Sequence, residues 1–377
     1  MNYKIKHLLI ILLFCFTIYL PFCISIFEQS KIVSSLEKRL LTKFPSIPKN
    51  IDEFVGTPQL IDNYFSDNFG LRQQFTSNYK KLKLLLGDSS SNDVTIGKDG
   101  WYFLGSNKKN YNKFGDPIGD YRNLNRYTNL QLKKVTEYLN GQQLWLKKQG
   151  IEYVFFIAPN KHTIYSDKLP KYLSKKYKDS ATDQLILYLR ENTAINVIDL
   201  RDDLIAHKDK QLYYKTDTHW NHEAANIVQY RIISEVEKLY PNKISSQYFS
   251  IKNSQNNFAG DLARFLGINE KDHFNPKPEF NKTCEPIKTI VNKNIFTTVC
   301  DNQKLTTIIY GDSYFKDFLM DYFSRKFKST TFLWRKPNYQ SLKKQINIHK
   351  PDIVIEEWIE RHLPYVPKHY ADFTTHL

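Results

Sequence analysis

Ser313 stands in Thr306-Thr-Ile-Ile-Tyr-Gly-Asp-Ser-Tyr-Phe315, directly after an apolar run and ahead of a helix-like stretch. A serine hydroxyl becomes a strong nucleophile only when a base takes its proton, and that base needs an orienting carboxylate. Tyr213-Tyr-Lys-Thr-Asp-Thr-His-Trp-Asn-His222 supplies both types. Asp217 and His219 are two apart, so one side of an extended or loop segment can present them together. The chemistry implied is acyl transfer, with Ser313 attacking a carbonyl, His219 as general base and Asp217 holding its imidazole. Gly311 permits a tight turn, and a helix beginning at the serine aims its amide donors at the developing oxyanion. The surroundings are not the Gly-x-Ser-x-Gly elbow. Alone, each segment also reads as an ordinary turn or helix cap. His222 falls in the first turn of the next helix and reads as solvent-facing or a cap contact. A metal pair from His219 and His222 lacks a third ligand, so neither a metal nor a cofactor is expected.

In an open α/β sheet, ligands bind at the carboxyl ends of the strands, and the flanking segments alternate as such a sheet requires. Leu132, Val135, Leu139 and Leu146 recur at helical spacing until Gly150 stops the helix. Strands are expected at 151–157, 197–200, 306–310, 331–334 and 352–355, and helices at 183–190, 221–240, 315–327 and 339–348. This alternation predicts an α/β fold with a largely parallel sheet covered by helices on both faces. Val94 to Phe103 reads as a hairpin turning at Lys98-Asp99-Gly100. Residues 241–305 break the rhythm and are expected to form an irregular insertion.

The 377 residues are 41% hydrophobic and 15% aromatic, enough for a sizeable core beside 25% charge. Leu8 to Phe27 is a run of twenty uncharged residues, matching the ~20 needed to cross a bilayer. With Lys4 and Lys6 ahead of it, the run reads as a signal anchor that keeps residues 1–7 cytoplasmic and places the rest outside, at the cytoplasmic (inner) membrane. Cleavage near Cys23-Ile24-Ser25 is the competing reading and exports the same domain. Residues 28–90 read as a helical stem, with a helix over 73–86 closed by Ser89-Ser-Ser-Asn92, and the main domain occupies 91–377. In an oxidising compartment Cys284 and Cys300 can form a local bridge, or stand as separate buried thiols. The net charge of +15 suits polyanions. Export excludes nucleic acid as a partner and leaves anionic membrane surfaces or acidic polysaccharides.

The order Asp-x-His-Trp, then Gly-Asp-Ser, resembles the alginate O-acetyltransferase (AlgJ/AlgX-like) family, whose domain is SGNH-hydrolase-like. Asp67-Asn-Phe-Gly-Leu-Arg72, Ile96 to Phe103, Ala158-Pro-Asn-Lys161, Tyr165 to Pro170, Gly260-Asp-Leu-Ala263 and Ile355-Glu-Glu-Trp-Ile-Glu-Arg361 extend the likeness over about residues 60–365. The resemblance implies a three-layer αβα domain behind an anchor and stem, with Ser313 as acyl-enzyme nucleophile, His219 as base and Asp217 as its partner. It further implies O-acetylation of an exopolysaccharide, with acetyl groups supplied by a multi-pass membrane acyltransferase. The region after residue 365 is too short for the C-terminal carbohydrate module of some members, which suits the shorter anchored form. Water in place of the sugar hydroxyl would make the chain an acetylesterase, and a broken triad would leave a non-catalytic polysaccharide-binding assembly protein. The Ser313 amide is the one oxyanion donor that can be assigned. Four further residues are candidate substrate contacts. Lys161 could touch an anionic sugar or be a solvated loop lysine, and Trp220 could stack on a sugar or be buried. Tyr314 carries no more specific role. Arg361 could equally form a helix-surface ion pair with Glu357.

Overall fold

The structure, a computed structural model, describes residues 3–27, 33–34, 39–85, 92–111, 115–280, 284–334, 336–365 and 371–377. The chain forms two compact units, residues 1–91 with 263–269, and residues 92–262 with 270–377.

In the first unit a helix spans Tyr3–Phe27. Its segment Ile5–Ser25 has a mean hydropathy of 2.6, long and apolar enough to cross a membrane. Two more helices follow, Ile51–Asn68 and Arg72–Leu85. The first starts where the Asn50 side chain accepts from the Glu53 amide and Glu53 returns bonds to Asn50 and Lys49. Gly70 lies so close to the first helix that a Cβ there would meet the Pro21 carbonyl oxygen at 2.2 Å. The stretch 86–91, which includes Ser89, lies outside the described residues.

The second unit is built on a seven-stranded sheet. Its order is Val197–Asp199, Glu152–Ala158, Ile353–Ile359, Thr306–Gly311, Ser329–Trp334, Ile295–Val299 and Ile287–Asn292. The first five strands are parallel and the last two join antiparallel. Central strands are buried on both faces and mainly apolar, with Glu356 and Glu357 as the charged exceptions. Along 152–158, Val154, Phe156 and Ala158 enter one core while Tyr153, Phe155 and Ile157 enter the other. The first core is closed by the helices His222–Leu239 and Met320–Lys326, the second by Asn129–Lys148, Ala181–Asn192 and Tyr339–His349. Each fully buried Leu or Phe on these faces contributes about 1.5–3 kcal/mol of transfer free energy. Helix starts follow the sequence: Thr128 with Gln131 and Ser180 with Asp183 form capping boxes, and the Asn221 side chain accepts from the amides of Glu223 and Ala224. Gly150, at φ 72°, ends the first of them as expected.

Three expectations change. Residues 241–305 are not wholly irregular, since 287–292 and 295–299 extend the main sheet and 250–253 pairs with 276–279. The helix after Ser313 opens with a π turn over Phe315–Leu319 before its α-helical part. The last strand runs on to Ile359, so Glu357 lies buried in a strand and not on a helix surface. Cys284 and Cys300 are bridged, with Cα atoms 6.0 Å apart.

Candidate active site

Ser313 follows the carboxyl end of the central 306–311 strand and opens the next helix. The turn is held from beneath by Glu357 on the neighbouring strand, whose Oε2 accepts the Asp312 amide at 3.1 Å. Gly311 is required by this approach, because a Cβ there would lie 2.7 Å from the same oxygen. The Asp312 side chain accepts the Tyr314 amide at 2.8 Å, capping the helix start. Ser313 itself stays partly exposed.

Asp217 and His219 sit on a loop closed by the Tyr213–Trp220 bridge and by the Asn221 amide bonding the Leu212 carbonyl at 2.9 Å. Within it, Ser313 Oγ lies 2.7 Å from His219 Nε2, and His219 Nδ1 lies 2.6 Å from Asp217 Oδ1. These distances fit a hydrogen-bonded relay from hydroxyl to imidazole to carboxylate. The remaining Asp217 acceptor capacity is filled by the amides of His219 at 2.9 Å and Asp261 at 2.7 Å. Asp261 in turn accepts the Thr218 amide and hydroxyl at 2.8 and 2.7 Å. Asp272 takes the amides of Lys215 and Thr216. Gly260 presses on the loop, where a Cβ would meet the Thr216 carbonyl oxygen at 2.0 Å. Every turn of the loop is thereby tied to the scaffold, which is what keeping a base in one orientation demands.

Burial works to raise the Asp217 carboxyl, but the His219 charge, its hydrogen bonds and the Asp261 amide outweigh it and hold the group at about 2. Burial works to lower His219, and Asp217, with Asp261 behind it, raises it above the ordinary 6.5. Asp261 is itself raised, by burial and then by the Asp217 charge. Asp217, His219 and Asp261 bring ligand-type atoms within 4.8 Å of one another. Asp217 accepts from His219 and two backbone amides and Asp261 from the Thr218 amide and hydroxyl, an arrangement suited to orienting the imidazole for proton transfer.

The four candidate substrate contacts fall elsewhere than expected. Lys161 is buried, and its ammonium donates to the carbonyls of Tyr102, Lys215 and Asp217 at 2.6, 2.9 and 2.9 Å. It braces the acid–base loop from behind and is neither a solvated lysine nor a sugar contact. Burial, against the charges of Asp272, Asp217 and Asp261, lowers it to about 7. Trp220 is fully buried with its indole N–H on the Tyr314 carbonyl, so it cannot stack on a sugar. Tyr314 is fully buried too, its hydroxyl donating to the Thr218 carbonyl at 2.6 Å. Arg361 follows the last strand, with its guanidinium 5.5 Å from the Tyr314 ring centre and one nitrogen 3.4 Å from Asn160 Oδ1. It lines a cavity of about 10 Å³ with Asn160, Lys161, His162 and Thr218, too small for a sugar. His222 is buried against Phe318 and Tyr322, contrary to the solvent-facing expectation, and burial lowers it to about 3.

Asp261, Asp272 and Glu357 are the positioning residues that pattern alone does not assign. Gly260-Asp261 and Glu356-Glu357 lie in segments that carry the family resemblance, which was the available signal, whereas Asp272 has none.

The family model described as SGNH hydrolase-like domain, acetyltransferase AlgX, matches residues 94–335, well over half of the chain. The chain belongs to this AlgX-type SGNH hydrolase-like family. A curated relative, the probable alginate O-acetylase AlgJ of Pseudomonas aeruginosa, is 25% identical over 219 residues, 57% of this chain and 52% of that protein. The chain thus spans about half the length of the curated relatives it matches. Among solved structures, Bacillus cereus PatB1 superposes with a TM-score of 0.53 at 14% identity, covering 74% of this chain and all of that one. The O-acetyltransferase domain of Pseudomonas putida AlgJ gives 0.50 at 18% identity, covering 75% and 99%. These neighbours share the SGNH-like αβα fold, and the apolar 3–27 helix precedes it here.

Proposed function

We propose that this chain is a polysaccharide O-acetyltransferase that works through an acetyl-serine. The observation that carries the reading is the relay Ser313 Oγ–His219 Nε2 at 2.7 Å and His219 Nδ1–Asp217 at 2.6 Å, on the fold of an acetyltransferase family. Ser313 Oγ attacks the acetyl carbonyl while His219 Nε2 takes the hydroxyl proton and returns it to the departing oxygen of the donor. The Ser313 amide, at the start of its helix, is the oxyanion donor we assign. In the second half-reaction a sugar hydroxyl loses its proton to His219 and attacks the acetyl-serine, and His219 then reprotonates Ser313. Asp217, held ionised, keeps the imidazole in the required tautomer throughout.

The relatives named alginate O-acetylases support an acidic exopolysaccharide as acceptor. The 3–27 helix supports a single-pass anchor in the cytoplasmic membrane, with the domain outside. That placement suits a multi-pass membrane acyltransferase as acetyl source.

The full chain in detergent is incubated with a chromogenic acetyl ester. Ser313→Ala and His219→Ala lower kcat/KM by roughly 10³–10⁶-fold and Asp217→Asn by roughly 10⁴-fold. Undiminished turnover in Ser313→Ala ends the proposal. Mass spectrometry of uronate oligosaccharides added to the reaction separates transfer from hydrolysis, since an esterase leaves them unacetylated.

A further inference from the structure

A cleft in the second unit is lined by residues other than Ser313, His219 and Asp217. It measures about 540 Å³ and is lined by Lys243, Arg325 and Lys326, by Phe249 and Phe280, and by one carboxylate, Glu237. That volume is in the range of small-ligand sites. Glu237, whose Oε2 accepts the amide and hydroxyl of Ser246 at 2.9 and 2.6 Å, offsets only one of the three cations, so the lining keeps a net positive charge. Lys326 is nine-tenths buried, with its ammonium on the Ser245 carbonyl at 2.9 Å. An ammonium has three donors, and burying one with a neutral acceptor is costly unless an anion joins it.

Arg325 is held in place for such an anion. Its guanidinium stacks 4.0 Å from the Phe280 ring centre, and one terminal nitrogen donates to the Asp321 carbonyl at 2.8 Å. Its Nε is buried without a partner among the described residues. Phe249, half-buried beside Phe280 at 5.2 Å, offers an apolar surface on the cleft wall. A fork-shaped donor, a buried ammonium and an aromatic wall together match a uronic acid residue, which carries a carboxylate on one edge and an apolar C–H face.

Behind the cleft wall a series of ring contacts runs through the core from Phe280 to Tyr322 at 5.3 Å, to His222 at 6.1 Å, to Phe318 at 5.5 Å and to His219 at 5.6 Å, so the cleft wall and His219 pack on one core.

We propose that this cleft is a subsite for an acidic polysaccharide, seating a uronate carboxylate between Arg325, Lys326 and Lys243 and its apolar face against Phe249. The proposal rests on the acetyltransferase reading only for taking the bound polymer as the acceptor. The test is calorimetric titration of the full chain in detergent with a 1,4-linked uronate hexasaccharide and with a neutral mannose hexasaccharide. The acidic probe binds at least about tenfold more tightly, and added salt narrows the gap. Arg325→Gln weakens the acidic probe about tenfold and leaves chromogenic ester turnover unchanged. Lys243→Glu, at an exposed position, weakens it as well, with an unchanged thermal melt as the check on folding. Equal affinity for both probes, or full affinity in both variants, overturns the subsite. Ser313→Ala keeps the affinity, so failure of the acetyl-serine reading and failure of the subsite are read separately.

Discussion

Glu356 and Glu357 are neighbours on one strand, and the pleat sends them to opposite faces of the sheet. Glu356 is enclosed by donors: Gln142 Nε2 and Trp358 Nε1 at 2.6 Å and the Tyr153 hydroxyl at 2.8 Å. The Lys336 ammonium lies 3.4 Å from the centre of that Trp358 ring. Glu357 places one oxygen under the Asp312 amide and leaves Oε1 without a partner among the described residues. Burial raises both carboxyls, and the Asp312 charge adds to it at Glu357. Two buried carboxyls of the same type therefore differ in what surrounds them. The saturated one joins helix to sheet, whereas the half-satisfied one sets the backbone path of a turn that must stay open to a substrate.

The contrast predicts that the two residues fail differently. Glu357→Ala removes the acceptor beneath Asp312 and loosens the nucleophile turn, lowering kcat/KM on a chromogenic acetyl ester by about 10²-fold, or about 2.7 kcal/mol. Since burial and Asp312 favour the neutral carboxyl, Glu357→Gln keeps the acceptor and retains most of the activity. Equal losses in both variants would break the distinction between charge and acceptor. At the other face, Glu356→Gln places an amide donor among three existing donors and costs about 1–3 kcal/mol of stability in denaturant unfolding. Its kcat/KM below the transition is unchanged, and a selective loss of activity in a stably folded variant would show that the far face also reaches the chemistry.

The same distinction marks what was legible in the sequence. Period located the strands and helices around Ser313, because parallel strands buried on both faces read as apolar runs and the helices repeat their apolar residues at helical spacing. The three residues of the proposed relay, which the structure brings within hydrogen-bonding distance, were legible through type, order and spacing. Solvent access was not. Lys161, Trp220 and Tyr314 look like ligand contacts by type, yet each spends its polar atoms on backbone carbonyls around the site. Asp272 reaches Lys215 and Thr216 from a distant loop, and no local pattern encodes a contact that only tertiary packing creates. The spacing of Glu357 and Arg361 allows a helix-surface ion pair as one reading, but Glu357 lies in a buried strand.

The proposed base and its carboxylate partner carry their own pH signature. A general base must be neutral, so kcat/KM rises with pH through a His219 value raised above 6.5. Asp217→Asn removes the larger of the two carboxylate charges that raise it, leaving Asp261, and moves this limb to lower pH, along with the rate loss. Stability follows with opposite signs. The lowered Asp217 stabilises the fold above its ordinary 3.8, and this contribution fades as pH falls towards about 2. The raised His219 contributes fully below 6.5, and its contribution fades as pH rises through the folded value. Thermal melts across pH therefore show the pair's full contribution between about 3.8 and 6.5, and Asp217→Asn flattens both edges. An unmoved acid limb in that variant would place the titrating base elsewhere.

His222 supplies the smallest expected effect and the sharpest control for His219, three residues before it. Both rings touch Phe318, at 5.5 and 5.6 Å, but His222 Nδ1 has no partner among the described residues and burial keeps the ring neutral. The Tyr322 hydroxyl bonds the His222 backbone carbonyl, which any side chain preserves. His222→Phe thus exchanges an unsatisfied ring nitrogen for an apolar ring of similar shape. Such exchanges are nearly neutral, so stability changes by less than about 1 kcal/mol and ester turnover by less than about threefold. A loss comparable to that of His219→Ala would transfer the role of base from His219 to His222 and undo the assignment of the relay.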